Sequence, residues 1–194
     1  MITTEQVKEL RDKTGVSIMQ CKKALEDAGG DFEKAMVLLK KKGAEIAEKK
    51  GDRTLAAGAV GAYVHASGNI GGMVELWCET DFVAKNEDFK ALARDIAMQV
   101  VATNPKFLRA EDITPEERSK ATEVFAKEVE GKPENMKAQI LEGKLNAYFA
   151  DMVLLEQPFI KNGDLTVAQM ISNAIQKFGE KTEIGKFARF STTG

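Results

Sequence analysis

The chain has 194 residues, of which 43% are hydrophobic and 30% are charged, and its formal net charge is −2. This composition is typical of a globular protein, and the length suits one large or two small domains. The slightly acidic balance argues against free nucleic acid as the main partner, because nucleic-acid-binding domains usually carry a basic surface. No apolar run approaches the roughly 20 residues that span a bilayer. The first residues also lack a signal-peptide pattern. We therefore expect a cytoplasmic protein without a membrane partner.

Cysteine and histidine are too scarce here to build a metal or catalytic centre. A structural zinc site needs four nitrogen or sulfur ligands, whereas the chain has two distant cysteines, Cys21 and Cys78, and one histidine, His65. We favour a surface or hydrogen-bonding role for His65, since one histidine alone makes no catalytic triad. Both thiols are expected to be buried in a reducing compartment. A redox role or a cross-link between chains is the alternative.

The sequence also lacks the motifs of nucleotide-binding and hydrolytic enzymes. It contains no GxxxxGK[ST] loop, no GxGxxG after a predicted strand and no GxSxG turn. Its carboxylates fall on predicted helix surfaces with lysine partners at helical spacing, which is typical of solvated pairs. We predict that the chain is not an enzyme and has no catalytic residues, metal or cofactor.

The first 43 residues carry the signals of three short amphipathic helices. Capping residues are predicted at Thr3, Ser17 and Asp31. Ile18 is expected on the inner face of the second helix, together with Cys21. Such short helices bury one small core together and are not stable alone. The lysine-rich residues 40–56 favour a solvated helix end that runs into a linker. A weak patch for RNA or an acidic partner is the alternative.

The rest of the chain alternates between strand and helix patterns. A β-hairpin is indicated over residues 57–80 and a closing strand over 183–191. Helical spacing recurs from Phe89 to Val100. A helix that starts at Pro115 and breaks at residues 131–133 is expected to form a helical hairpin with residues 134–155. We therefore predict an α+β fold, in which a three-helix domain precedes a core of three antiparallel strands packed with helices. The predicted division is a first domain over 1–43, a linker over 44–56 and a core domain over 57–194.

One segment, residues 79–89, lies where the strand pattern changes to a helical pattern. Its sequence is Glu-Thr-Asp-Phe-Val-Ala-Lys-Asn-Glu-Asp-Phe. Thr80 or Asp81 can cap the first helical turn, which places Phe82 at a short helical corner. Phe82 is then either a core side chain beneath the turn or an exposed anchor for a partner's pocket. Residue chemistry alone favours the core position.

This segment closely resembles the signature of the elongation factor Ts family, the guanine-nucleotide exchange factors of bacterial and organellar translation. Further segments that resemble the family sequence occur before and after it in the family's order, at residues 15–16, 21–25, 30–32, 63–65, 68–72, 154–160 and 186–190. The first 43 residues resemble the ubiquitin-associated-like domain that begins these proteins. Trp77 departs from the family pattern, which commonly has a small polar residue there. An exposed tryptophan would mark an interface.

The resemblance implies that elongation factor Tu is the partner and that GDP release from it is the activity. It assigns the wedge that acts near the partner's magnesium site to Thr80, Asp81, Phe82 and Val83. Phe82 is expected to enter a hydrophobic pocket, and Asp81 to orient it through a hydrogen bond. Further contacts are expected at Gly15, Val16, His65, Ile70 and Gly71.

We expect a homodimer through the core sheet. Longer family members have a second half-core that a second copy of this chain could replace, and Trp77 and Tyr63 are predicted on one strand face. The rival hypothesis is a ubiquitin-associated-type adaptor that tethers proteins without exchange activity. That reading requires the first domain to bind alone and Phe82 to be dispensable.

Overall fold

The computed structural model describes residues 2–131 and 133–193. Within them the helices are α1 (Thr4–Thr14), α2 (Ile18–Asp27), α3 (Phe32–Lys49), α4 (Asp81–Ala84), α5 (Glu87–Thr103), α6 (Pro115–Val129), α7 (Glu134–Ala150) and α8 (Val167–Phe178). The strands are β1 (Ala57–Val64), β2 (Ile70–Cys78), β3 (Pro158–Phe159), β4 (Asn162–Thr166) and β5 (Thr182–Ser191). The antiparallel sheet has the order β1-β2-β5, which confirms the predicted α+β fold. The short β3–β4 ladder was not predicted.

Helices α1 to α3 form a small bundle whose ends follow the predicted caps. Thr3 and Gln6 make a reciprocal capping box, and Asp31 accepts a hydrogen bond from the Lys34 backbone N–H. Ser17 caps α2 in one direction only, by accepting from the Gln20 backbone N–H. The core of the bundle consists of Val7, Leu10, Val16, Cys21, Ala24, Leu25, Ala35 and Leu39. Both cysteines, Cys21 here and Cys78 in the sheet, are free and fully buried, as expected.

Helix α3 runs beyond the bundle and packs against α8, so residues 44–49 of the predicted linker are helical. Gly43 lies so close to Ser172 and Gln176 that a Cβ at this position would collide with both side chains. The Gln176 side chain also donates a hydrogen bond to the Leu39 carbonyl at 3.3 Å. The bundle is thereby joined to the core through a tight helix–helix contact. The division at residues 43 and 56 stays a prediction.

Helix α5 covers the inner face of the sheet. The inward residues of β2 are Val74, Leu76 and Cys78, and they pack against Phe89, Ala93, Ile96 and Val100 of α5. Gly61 allows β1 to approach most closely, because a Cβ there would collide with the backbone of Ala93. Helices α6 and α7 pack together in a separate cluster around Ala121, Leu145 and Phe149.

The two aromatic residues of the hairpin lie on opposite faces of the sheet, so the prediction that Tyr63 and Trp77 share a face is wrong. Tyr63 pairs with Gly72 and packs toward the main core, whereas Trp77 pairs with Gly58 on the other face. Facing side chains in adjacent strands share one side, so the register decides the outcome. The outward apolar residues, which we call the outer sheet face, are Val60, Val64, Met73, Trp77 and Phe190.

Because β1 approaches α5 closely at Gly61, an alanine substitution there should change stability in the opposite direction to one at an open glycine. Gly61→Ala should destabilise the protein by about 3 kcal/mol, because the methyl group forces α5 away from β1. Gly143 lies exposed in α7 with open space around it, so Gly143→Ala should stabilise by about 1 kcal/mol. Urea unfolding midpoints should therefore move in opposite directions. Equal midpoints for wild type and Gly61→Ala would contradict the packing described.

Candidate functional site

Residues 79–86, in the segment that resembles the family signature, form a tight corner between β2 and α5. Thr80 is the N-cap of α4, and its hydroxyl accepts a hydrogen bond from the Val83 backbone N–H at 3.5 Å. Phe82 is 81% exposed. Of the two positions that residue chemistry leaves open, the structure therefore shows the exposed one.

The buried side of this corner fixes it to the core. Val83 and Ala84 are buried against the residues that pack between β2 and α5. Phe89 continues this packing and contacts Phe178 edge to face, with ring centroids 5.7 Å apart. Val83 therefore offers no free side-chain surface to a partner, and its effect on the corner is to anchor it.

The exposed side of the corner carries charge beside Phe82. The Asp81 carboxylate accepts a hydrogen bond from Lys85 Nζ at 2.6 Å. This hydrogen bond and the lysine charge hold the pKa of Asp81 below its ordinary value, so the carboxylate is ionised at neutral pH. Exposed ion pairs contribute little to stability. Asp81 can therefore exchange Lys85 for another donor at small cost.

Two glutamates hold the root of the corner. Sequence reasoning placed Glu79 in the singled-out segment without a role and did not identify Glu180. The Glu180 carboxylate accepts hydrogen bonds from the backbone N–H groups of Glu79 and Thr80 and from the Thr80 hydroxyl. In return, Glu79 accepts from the Lys181 backbone N–H at 2.5 Å and pairs with Arg53 at 3.1 Å. The Lys181 hydrogen bond, supported by Arg53, lowers the pKa of Glu79. No local pattern could reveal this arrangement, because Glu180 lies 100 residues after Thr80.

Of the two partner contacts predicted in the bundle, one residue is exposed and the other is buried. Gly15 ends α1 with a left-handed φ of 69° and is exposed, whereas Val16 is fully buried. Ile18 is exposed, which corrects its predicted inward position. It lies beside Met19, which is 83% exposed. One sequence signal could have identified Met19 as exposed, because it is an apolar residue outside the helix face that carries Cys21.

The remaining predicted contacts lie at the opposite end of β2 from Phe82. His65 is exposed at the hairpin turn, where its Nδ1 lies 2.7 Å from the Ser67 hydroxyl. Ile70 and Gly71 begin β2, and a strand of this length separates Ile70 from the corner by about 26 Å. The structure therefore brings Thr80 to Val83 together and leaves His65, Ile70 and Gly71 as a separate group.

Two other kinds of site are absent from the part of the chain that the structure describes. In residues 2–131 and 133–193, no three His, Cys, Asp or Glu side chains are grouped so that they could share a metal ion. Among the helices of the same residues, none combines the length and the apolar character needed to traverse a bilayer.

Comparison with known proteins gives one consistent result. The family model described as "Elongation factor TS" matches residues 4–194. The chain is 48% identical over 192 residues to "Elongation factor Ts" of Heliobacterium modesticaldum, covering 98% of this chain and 89% of the relative. The corresponding protein of Carboxydothermus hydrogenoformans is also 48% identical, over 98% and 88%. That of Thermodesulfovibrio yellowstonii is 47% identical, over 97% and 95%. The chain therefore belongs to the elongation factor Ts family.

Proposed function

We propose that this protein is a guanine-nucleotide exchange factor, which binds the GDP complex of elongation factor Tu and promotes GDP release so that GTP can load. The observation that carries the proposal is the exposure of Phe82 on a corner held by core packing and hydrogen bonds. This corner lies in the segment that resembles the family signature. The protein itself needs no cofactor or catalytic residue for this activity.

An exposed aromatic side chain on a fixed corner is suited to act as a wedge. Burial of a phenylalanine side chain contributes about 2 kcal/mol, and folding leaves most of this contribution unused at Phe82. Because Val83 and Ala84 already fix the backbone, little further ordering is needed on binding. In our proposal Phe82 enters a hydrophobic pocket near the partner's magnesium site, and Asp81 orients it by accepting a hydrogen bond.

Exchange follows from thermodynamic linkage. A factor that binds nucleotide-free elongation factor Tu more tightly than the GDP complex must weaken GDP binding by the same factor. Disturbing the groups that hold magnesium removes positive charge from the GDP phosphates, which supplies this coupling. Thr80 caps the corner and Val83 anchors it, so both act through Phe82.

The bundle and the hairpin turn supply further contacts in this proposal. Ile18 and Met19 form an exposed apolar pair beside Gly15, and we place the nucleotide-binding domain of the partner against them. His65 with Ile70 and Gly71 makes a second contact.

We also propose that a second copy of the chain covers the outer sheet face. Val64 and Phe190 both lie opposite Gly71 in the sheet register, so they flank a residue without a side chain. They are 65% and 68% exposed, and Trp77 is 39% exposed. A sheet that is covered on one face only can bury such residues against an equivalent sheet.

Phe82→Ala tests the exchange proposal. The substitution should lower the acceleration of GDP release about 30-fold, which corresponds to the loss of about 2 kcal/mol of burial in the partner. The measurement is the release of a fluorescent GDP analogue from preloaded elongation factor Tu, chased with excess GDP. Val124→Ala, at an exposed position on α6, is the control and should behave as wild type. Undiminished acceleration by Phe82→Ala would refute the wedge, and an inactive wild type would favour the adaptor hypothesis.

Met19→Ala tests the bundle contact in the same assay. We expect the half-saturating concentration to rise about tenfold with an unchanged maximal rate, since Met19 contributes to docking only. Met136→Ala, an exposed methionine on α7, should change neither quantity. An unchanged half-saturating concentration for Met19→Ala would remove this contact from the proposal.

Val64→Glu tests the dimer. The wild type should sediment as a dimer at micromolar concentration, and the variant as a monomer, because a buried unpaired carboxylate is costly. Val124→Glu should remain dimeric. A monomeric wild type would contradict the proposed interface.

A further inference from the structure

We propose that Glu180 is a positioning residue for nucleotide exchange, because its carboxylate fixes the corner that presents Phe82. The inference rests on the exchange function proposed above. It concerns a residue outside the signature segment, in the turn between α8 and β5.

Glu180 accepts hydrogen bonds from backbone N–H groups that the sheet leaves unpaired. The pairing of β2 with its neighbours ends at Cys78, so the backbone N–H groups of Glu79 and Thr80 lie beyond the ladder. One oxygen of Glu180 accepts from both, at 3.1 and 3.0 Å, and the other accepts from the Thr80 hydroxyl at 2.6 Å. A half-buried carboxylate with three donors forms a strong local restraint.

The corner depends on this restraint because its own helix is short. Helix α4 has four residues, far below the length at which a helix is stable by itself. Its cap hydrogen bond, from the Val83 N–H to the Thr80 hydroxyl, is long at 3.5 Å. Glu180 holds that hydroxyl in place, and it thereby restrains the side of the corner that core packing of Val83 does not.

The restraint is reciprocal between two chain segments. Glu180 accepts from the backbone of residues 79–80, and Glu79 accepts from the backbone N–H of Lys181. Lys181 Nζ in turn donates to the Gly51 carbonyl at 2.6 Å. The turn after α3, the end of β2 and the turn after α8 are therefore linked at the root of the corner.

Loss of Glu180 should affect the exchange step more than docking. Without the restraint, the corner samples orientations in which Phe82 does not meet its pocket, and ordering must occur on binding. The bundle contact around Met19 does not pass through this corner. We therefore expect the maximal rate of GDP release to fall while the half-saturating concentration changes little.

The experiment measures GDP release from elongation factor Tu across a concentration series of each variant. Glu180→Ala should lower the maximal rate about tenfold and change the half-saturating concentration less than about twofold. Glu180→Gln keeps an acceptor oxygen for both backbone N–H groups, so it should stay within about threefold of wild type. Glu156→Ala, at an exposed glutamate outside this arrangement, is the control.

Two further measurements separate positioning from a loss of stability. In the Phe82→Ala background, Glu180→Ala should have almost no additional effect, because coupled residues are not additive. Amide hydrogen exchange of Glu180→Ala alone should accelerate at residues 82–86 and stay unchanged in β2.

The outcomes distinguish this inference from the function on which it rests. A wild type that accelerates release, with Phe82→Ala defective and Glu180→Ala normal, overturns the role of Glu180 alone. A full additional loss in the Phe82→Ala background overturns it as well. A wild type without exchange activity overturns both proposals.

Discussion

The contact between α5 and the inner face of the sheet determines most of this structure. Gly61 and the Ala93 backbone lie close enough to exclude any side chain at Gly61, so the helix is held directly against β1. Strand β2 ends at Cys78 and α5 begins at Glu87, and the chain must reverse between them. A reversal this short buries Val83 and leaves the preceding side chain outside.

Folding of this chain buries its core residues but leaves several apolar side chains exposed to water. Phe82, Met19 and the outer sheet face are exposed although they are as apolar as the buried residues around them. Each is attached to a rigid element, so the free energy of burying them remains available for association with little additional ordering. The proposed partner contacts and the proposed dimer both draw on this property.

Local sequence patterns predicted the three bundle helices with their caps, the three strands of the sheet and the position of the corner. They failed wherever a distant part of the chain decides the outcome. The faces of Tyr63 and Trp77 depend on strand register. The restraint by Glu180 joins segments 100 residues apart. Residue chemistry alone favoured a buried Phe82, because phenylalanine is usually buried, and only the resemblance to the family pointed to its exposure.

The position of Trp77 has a practical consequence. It is the single tryptophan of the chain, and its ring lies half-exposed on the outer sheet face with Nε1 directed to Glu75. Intrinsic tryptophan emission therefore arises from this one surface and from no part of the corner or bundle. The protein therefore carries a built-in optical reporter for coverage of its outer sheet face.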